Sequence, residues 1–344
     1  MKPSKIPLVV GCAAILVWGA GGATAQGESK TDVFAQNQRL GRGVNILGYD
    51  PIWRSRDQGR FKAGYFEKLK VAGFNSVRIN LHAFRHMDAT NGLKPSWFEV
   101  LDWAVNEAQQ QGLAVILDLH EFNALGNNPT GDNKEKFLAF WRQVASHYQN
   151  APATVFFEVL NEPFGKLTPE LWNEFFAEAL GIIRKTNPTR TVIAGPGQWN
   201  QIGRLSELRL PENDRNLIVT VHFYEPFAFT HQGASWTDRK DKLGFEWKAT
   251  PEEVAALNRA FDKADAWSKA NKRPLFLGEF GAYDRGPMES RTRWTAAVAR
   301  AAEARGWSWA YWQFDSDFIL YDVKREAWVE PIRDALVPKA PPAG

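Results

Sequence analysis

Short apolar runs recur along the chain, separated by longer stretches in which apolar residues return every three or four positions. Eight runs stand out, at 44–47, 76–80, 114–119, 154–160, 191–195, 217–222, 275–278 and 307–312. Most are apolar on both faces, the pattern of parallel strands covered on each side. The stretches between them carry helix signals. Ser96 with Glu99 predicts a capping box, and Gly112 a stop. Asp132 precedes Glu135 and the apolar positions Phe137, Phe140, Trp141 and Val144. Thr168-Pro169 predicts a start, and Asn187-Pro188 an end. Thr250-Pro251-Glu252-Glu253 repeats the capping box, and an Ala-rich helix is expected from Glu289 to Arg305. A strand–helix unit roughly every 35–40 residues, repeated around eight strands, predicts an α/β fold of the (β/α)8 TIM barrel type. The rival, a doubly wound open sheet, would announce a Gly-rich phosphate turn after its first strand, and "GRGVNILG" is not one. The gap between strands six and seven is the longest. It implies an excursion over residues 225–249, where a long loop at a barrel mouth would join a binding site.

The first residues fall outside this rhythm. Lys2 and Lys5 precede an apolar run from Ile6 to Ala20, and Ala23-Thr24-Ala25 has the small-x-small form of a cleavage site. A secretory signal peptide over 1–25 is expected, with a secreted or periplasmic product. The run is shorter than the ~20 apolar residues of a spanning helix, so no membrane partner is expected after cleavage. Val9-Val10-Gly11-Cys12 loosely resembles a lipoprotein box, but the apolar run before Cys12 is short and continues past it. The expected organisation is one catalytic domain over 26–337 and a disordered tail, "PKAPPAG", over 338–344.

Composition narrows the chemistry. Cys12 is the only cysteine and leaves with the signal peptide, which excludes disulfides, thiolate metal sites and a cysteine nucleophile. Without Lys2 and Lys5 the chain has 40 basic residues against 39 acidic ones and no basic tract. Nucleic acid is therefore not an expected partner. The 15 tryptophans and 23 phenylalanines exceed the needs of a core and suggest an aromatic-lined groove.

A barrel of this kind places its active site at the C-terminal ends of its strands. The residues found there are Arg78 and Asn80 on strand two, His120 and Glu121 after strand three, and Asn161 and Glu162 after strand four. His222 and Tyr224 follow strand six, Glu279 ends strand seven in "LFLGEFG", and Trp312 with Gln313 ends strand eight. Two carboxylates facing one cleft are what glycoside hydrolysis needs, one donating a proton to the leaving oxygen and the other attacking the anomeric carbon or activating water. "LNEP" around Glu162, "GEFG" around Glu279, and Arg78, His120, His222, Tyr224 and Trp312 at the other strand ends resemble glycoside hydrolase family 5, over residues 36–335. The resemblance implies a retaining, cellulase-like enzyme with Glu162 as acid/base and Glu279 as nucleophile. On that basis Arg78 is expected to lower the pKa of Glu279 and Tyr224 to donate to it. Glu279 is expected to raise the pKa of Glu162. Asn161 would reach the sugar 2-hydroxyl, His120 and His222 would bind sugar hydroxyls or Glu162, and Trp312 would floor the cleaved ring. Asp118, Glu121 and Glu158 are set aside as bystanders, with Glu158 inside the barrel and in need of a partner.

Sugar rings have apolar faces, so Trp53, Trp199 and Trp236, each just past a strand end, are candidate platforms. Trp103, Trp141, Trp172, Trp267 and Trp294 fall inside helices and are assigned to packing. No cofactor and no metal are expected: "HEF" at 120 lacks the second histidine of a zinc helix, and Asp315-Ser316-Asp317 lacks the rest of a calcium loop. The expected product is a monomeric endo-β-1,4-glucanase acting on β-glucan. A β-mannanase, mixed-linkage glucanase or xyloglucanase is the alternative. From other classes come a non-catalytic glycan-binding barrel, which both glutamates argue against, and a metal-dependent hydrolase.

Overall fold

A computed structural model describes residues 32–339. The expected signal peptide and residues 340–344 of the expected tail lie outside the described residues. Eight parallel strands close into a barrel in chain order: β1 (Arg42–Ile46), β2 (Ser76–Leu81), β3 (Ala114–Leu119), β4 (Val155–Glu158), β5 (Val192–Ala194), β6 (Leu217–Phe223), β7 (Leu275–Phe280) and β8 (Ser308–Tyr311). β8 pairs back onto β1, with Gly43 beside Ala310, so no sheet edge is left open. Among the described residues no helix is long and apolar enough to cross a membrane.

The strand alternation explains both cores. Val77, Ile79, Val115, Leu117, Val155, Phe157, Val192, Val219 and Leu277 pack outward against the surrounding helices. Ala114, Ile116, Phe156, Ile193, Ile218, Phe276 and Ala310 form a separate cluster, together with Val33 and Leu40 of the helix Val33–Leu40. That helix is tied to the barrel by Asn37 Nδ2 donating to the Leu275 carbonyl and by the Ser76 and Ser308 hydroxyls donating to the carbonyls of Leu40 and Asn37. Toward the other end the same inward positions turn polar: Ile116 is followed by Asp118, Phe156 by Glu158, and Ile218 by Thr220 and His222, all buried. The barrel is thus apolar at its base and polar at its mouth.

β7 departs from simple alternation. β6 and β7 pair Val221 with Leu277 but His222 with Glu279, so Gly278 is an extra residue in the ladder. This bulge turns Glu279 toward the mouth. The turn requires glycine, because a Cβ at 278 would collide with the Thr220 hydroxyl.

The helix signals hold with one correction. Thr250 and Glu253 form the expected capping box at the start of Pro251–Asn271, and Thr168 caps Pro169–Thr186. Ser96 and Glu99 form none. They lie inside Pro95–Gln110, which begins one residue earlier with Lys94 as its cap, because Pro95 with its fixed φ takes the first helical position. The excursion over 225–249 holds a short helix, Phe227–Thr230, and is stitched by Gln232, whose Oε1 accepts from the amides of Gly244 and Phe245. A small antiparallel hairpin, Tyr321–Asp322 with Ala327–Trp328, was not foreseen.

Candidate active site

Arg78 on β2 organises the mouth. Its guanidinium is fully buried and makes a two-point contact with Glu158 on β4, Nε to Oε2 at 2.7 Å and Nη2 to Oε1 at 2.8 Å. Nη1 donates to Glu279 Oε1 and to Asn45 Oδ1, both at 2.8 Å, and Nη2 donates to Asn161 Oδ1 at 2.8 Å. Asp118 Oδ2 lies 3.2 Å from Nη2. Burial alone would strip this charge. The surrounding carboxylates of Asp118, Glu158 and Glu279 hold it instead and raise its pKa well above the ordinary value.

Glu162 and Glu279 meet beneath His222. His222 Nδ1 lies 2.7 Å from Glu162 Oε1 and 3.6 Å from Glu279 Oε2. One atom from each of the three side chains fits within 4.8 Å of the others. Tyr224 donates its hydroxyl to Glu279 Oε2 at 2.9 Å. The His222 tautomer follows from its other nitrogen. Asn200 Nδ2 donates to the Asn161 carbonyl and also faces His222 Nε2 at 3.3 Å. The carbonyl fixes the amide, so Nε2 is an acceptor and Nδ1–H points at the carboxylates.

Both acids are pushed upward. Burial is the main cause for Glu162, opposed by Arg78 and reinforced by Asp118 and Glu158, and it reaches about 8. Burial also dominates for Glu279, with His222 and Arg78 opposing and Glu162 reinforcing, and it reaches about 7. The expectation that Arg78 would leave Glu279 with a lowered pKa is corrected: Arg78 acts in that direction, but desolvation and the neighbouring acid outweigh it. For Glu162, burial rather than Glu279 leads the rise. Both carboxyls rise well above the ordinary carboxylate range, so the pair keeps a proton near neutral pH. Glu162 also keeps the more open side chain, 14% exposed against 5% for Glu279.

The remaining predicted residues divide. Trp312 stacks on His120 with planes 8° apart and centroids 5.4 Å apart. Trp199 is 42% exposed, lies parallel to Phe164, and is placed beside Glu162 by its amide donating to the Pro163 carbonyl. Trp236 is 54% exposed and meets Tyr283 edge-on at 5.1 Å. Trp53 is no platform. It is 5% exposed, its indole N–H donates to the Leu47 carbonyl at 2.6 Å, and it stacks on Trp97 of Pro95–Gln110. The turn after β1 folds this ring under the rim instead of over it. Glu121 accepts from the Phe84 amide and shapes a loop.

Asn45, Asn200 and Tyr49 were missed, Asp118 was set aside, and Asn80 was placed at the mouth without a role. Asn45 Oδ1 accepts from Arg78 and Asn80, while its Nδ2 donates to the Gly278 and Tyr311 carbonyls. Inward alternation along β1 and β3 was the signal that marks Asn45 and Asp118. Nothing local marks Asn200, which follows Gln198 and Trp199 in a run of three residues with positive φ.

A family model for cellulases, glycosyl hydrolase family 5, matches residues 38–317. This chain belongs to that family. It is similar to Endoglucanase H of Acetivibrio thermocellus, 30% identical over 318 residues, 89% of this chain and 33% of that protein. It is also similar to Endoglucanase 3 of Fibrobacter succinogenes, 28% identical over 82% of this chain and 50% of that protein. The chain thus spans a third to a half of the length of these two relatives. Among solved structures, Thermotoga maritima Cel5A in complex with cellobiose superposes with a TM-score of 0.84 at 42% identity, covering 89% of this chain and 100% of that one. The same Cel5A has been solved with mannotriose. The closed ring of eight parallel strands agrees with that family and with the superposed Cel5A structure.

Proposed function

We propose that this chain is an exported, retaining endo-β-1,4-glucanase working by double displacement. One observation carries the reading: Glu162 and Glu279, on opposite sides of the mouth, approach within 4.8 Å. Inverting enzymes hold their carboxyl groups ~6.5–9.5 Å apart to admit a water, whereas retaining ones hold them at about 5–5.5 Å. Glu279, held by Arg78 and Tyr224, attacks the anomeric carbon. Glu162 gives its proton to the leaving oxygen, then takes one from water as the glycosyl–Glu279 bond is hydrolysed. Asn161, whose Oδ1 is occupied by Arg78, turns its amide N–H groups to the sugar 2-hydroxyl. Trp312 floors the ring being cleaved.

The acid's position sets the direction of the glycan. The leaving group departs on the Glu162 side, so Trp199 beside it is the platform for the aglycone sugar. Tyr49, half exposed at the end of β1 and edge-on to Trp312, stands on the opposite side. Trp199→Ala should raise KM for long glucans by about tenfold, the loss of roughly 1.4 kcal/mol of stacking.

The deciding experiment is hydrolysis of carboxymethyl cellulose, barley β-glucan, xyloglucan, glucomannan and mannan, with the anomeric configuration of the first product read by NMR. Retained β-configuration is expected, and inversion would overturn the mechanism. Glu279→Gln should abolish turnover, whereas Glu162→Ala should keep activity on substrates with activated leaving groups. The mannotriose complex of Thermotoga maritima Cel5A favours β-mannan as the second reading, and activity on mannan alone would establish it over glucan. Export rests on the pattern of residues 1–25. It predicts a mature protein beginning at Gln26, which N-terminal sequencing checks; the monomer is a separate expectation, which light scattering checks.

A further inference from the structure

Asp118 is buried on β3, two residues before His120, where strand alternation puts both on the inner face. Its Oδ2 faces three groups at once. His120 Nδ1 is 2.6 Å away, Asn80 Nδ2 donates at 3.0 Å, and Arg78 Nη2 lies at 3.2 Å. Oδ1 has no partner among the described residues. An oxygen already facing an amide N–H and a guanidinium has no room for a proton of its own, so the proton of the short contact belongs to His120 Nδ1. The neutral imidazole then carries a bare lone pair on Nε2. Burial, Arg78 and His222 all disfavour a second proton on this ring and hold its pKa well below the ordinary value.

The ring cannot turn away from this arrangement. Trp312 lies parallel to it at 5.4 Å, His82 meets it edge-on at 5.1 Å, and Phe122 closes another side at 5.2 Å. Nε2 has no protein partner among the described residues, and the ring it belongs to lies against the Trp312 floor.

We propose that Asp118 is a positioning residue that locks His120 as the Nδ1–H tautomer, so that Nε2 accepts a hydrogen bond from a hydroxyl of the sugar seated on Trp312. This rests on the glycosidase reading of the site. It assigns Asp118 a task separate from balancing Arg78, which Glu158 already engages at two points. A sugar hydroxyl is both donor and acceptor. Fixing the protein side as an acceptor forces the hydroxyl to donate, which leaves its oxygen free to accept from a second group and selects its rotamer before the reaction begins.

The test begins on the free protein. With 15N-labelled histidine, the His120 signals of the wild type should show a protonated Nδ1 and an unprotonated Nε2. Asp118→Leu, which removes the acceptor altogether (an Asn would keep its oxygen toward Asn80 and Arg78), should move the population toward Nε2–H and lower kcat/KM by about 10- to 100-fold, the usual cost of losing an orienting partner. Circular dichroism and the melting temperature identify the folded variants. At His120 itself, Gln extends its amide to the Nε2 position and keeps an acceptor there, while Asn reaches only the Nδ1 position. His120→Gln should therefore retain more activity than His120→Asn. The proposal is overturned if Asp118→Leu leaves the tautomer unchanged, if the tautomer flips with kcat/KM intact, or if His120→Asn equals or exceeds His120→Gln. A wild type that cleaves none of the five polysaccharides would instead defeat the functional reading, while the spectra would still decide the tautomer.

Discussion

Two buried arginines hold the two ends of this barrel, and they are built in opposite ways. At the base, Arg190 stands before β5 with carbonyls for partners: Pro152 and Val155 accept from Nη1 at 2.6 and 3.0 Å, Tyr148 and Ala151 accept from Nη2 at 3.0 and 2.8 Å, and Asn187 Oδ1 accepts from Nε. Its guanidinium also lies 5.3 Å from the centre of the Phe157 ring. At the mouth, Arg78 is surrounded by Asp118, Glu158 and Glu279. Burial and nearby Arg184 bring Arg190 down to about 10, still charged at neutral pH. Arg190 satisfies backbone groups that would otherwise be stranded. Arg78 serves acids that would be easier to leave in water. The first arrangement stabilises the fold. The second stores charge where a reaction uses it.

Exchanging arginine for lysine at each end separates the two roles. Arg78→Lys keeps a positive charge but loses the fork that reaches Glu158, Glu279 and Asn161 together. We expect kcat to fall by about 10³-fold with KM changed far less, because the hydrogen bonds a lysine cannot make orient the nucleophile rather than bind the ground state. A variant with kcat within a few-fold of the wild type would show that Arg78 is as structural as Arg190. Arg190→Lys should do the reverse. Leaving two or three carbonyls unpaired should cost about 2–4 kcal/mol of stability, visible as a lower denaturant midpoint, with kcat of the folded fraction unchanged.

The same contrast explains what was legible in the sequence. The eight-fold rhythm, the capping signals at Thr168 and Thr250, and the polar residues ending the strands follow from local periodicity, which the chain displays openly. Glu158 was recognised as buried and in need of a partner, but not that the partner is Arg78, far earlier in the chain. Asp118 was set aside because an isolated acid in an apolar run gives no sign of its neighbours across the barrel. Trp53 was misplaced because a position just past a strand end does not tell over the rim from under it. The turn that follows, with Asp50 accepting from the amides of Ile52, Arg60 and Phe61, decides that. The rise in the Glu279 pKa was missed for a related reason. A charge partner can be guessed from sequence, but the burial that outweighs it exists only in the closed barrel.

The smallest effect sharpens the comparison through pH. Glu162 and Glu279, raised to about 8 and about 7 in the folded protein, lie near the ordinary carboxylate range when unfolded. Between those values the folded state holds more protons than the unfolded one, so stability falls as pH rises from about 4.5 to about 8 and then levels. Their favourable contribution is fully present below the unfolded pKa and is lost as pH passes the folded one. Glu162→Gln removes the larger of these two titrations, and its melting temperature should decline less than that of the wild type between pH 5 and pH 8, a difference on the order of 1–2 kcal/mol once partial solvent access is allowed for. On an aryl glycoside with a good leaving group, the same variant should also lose the alkaline limb of kcat/KM, since no acid remains to deprotonate. Arg190→Lys should leave the pH slope of stability unchanged between pH 5 and pH 7, because carbonyls do not titrate and either cation stays charged over that span. A slope altered equally by both variants would mean that the mouth and the base share one electrostatic network, and that the division drawn from their partners is wrong.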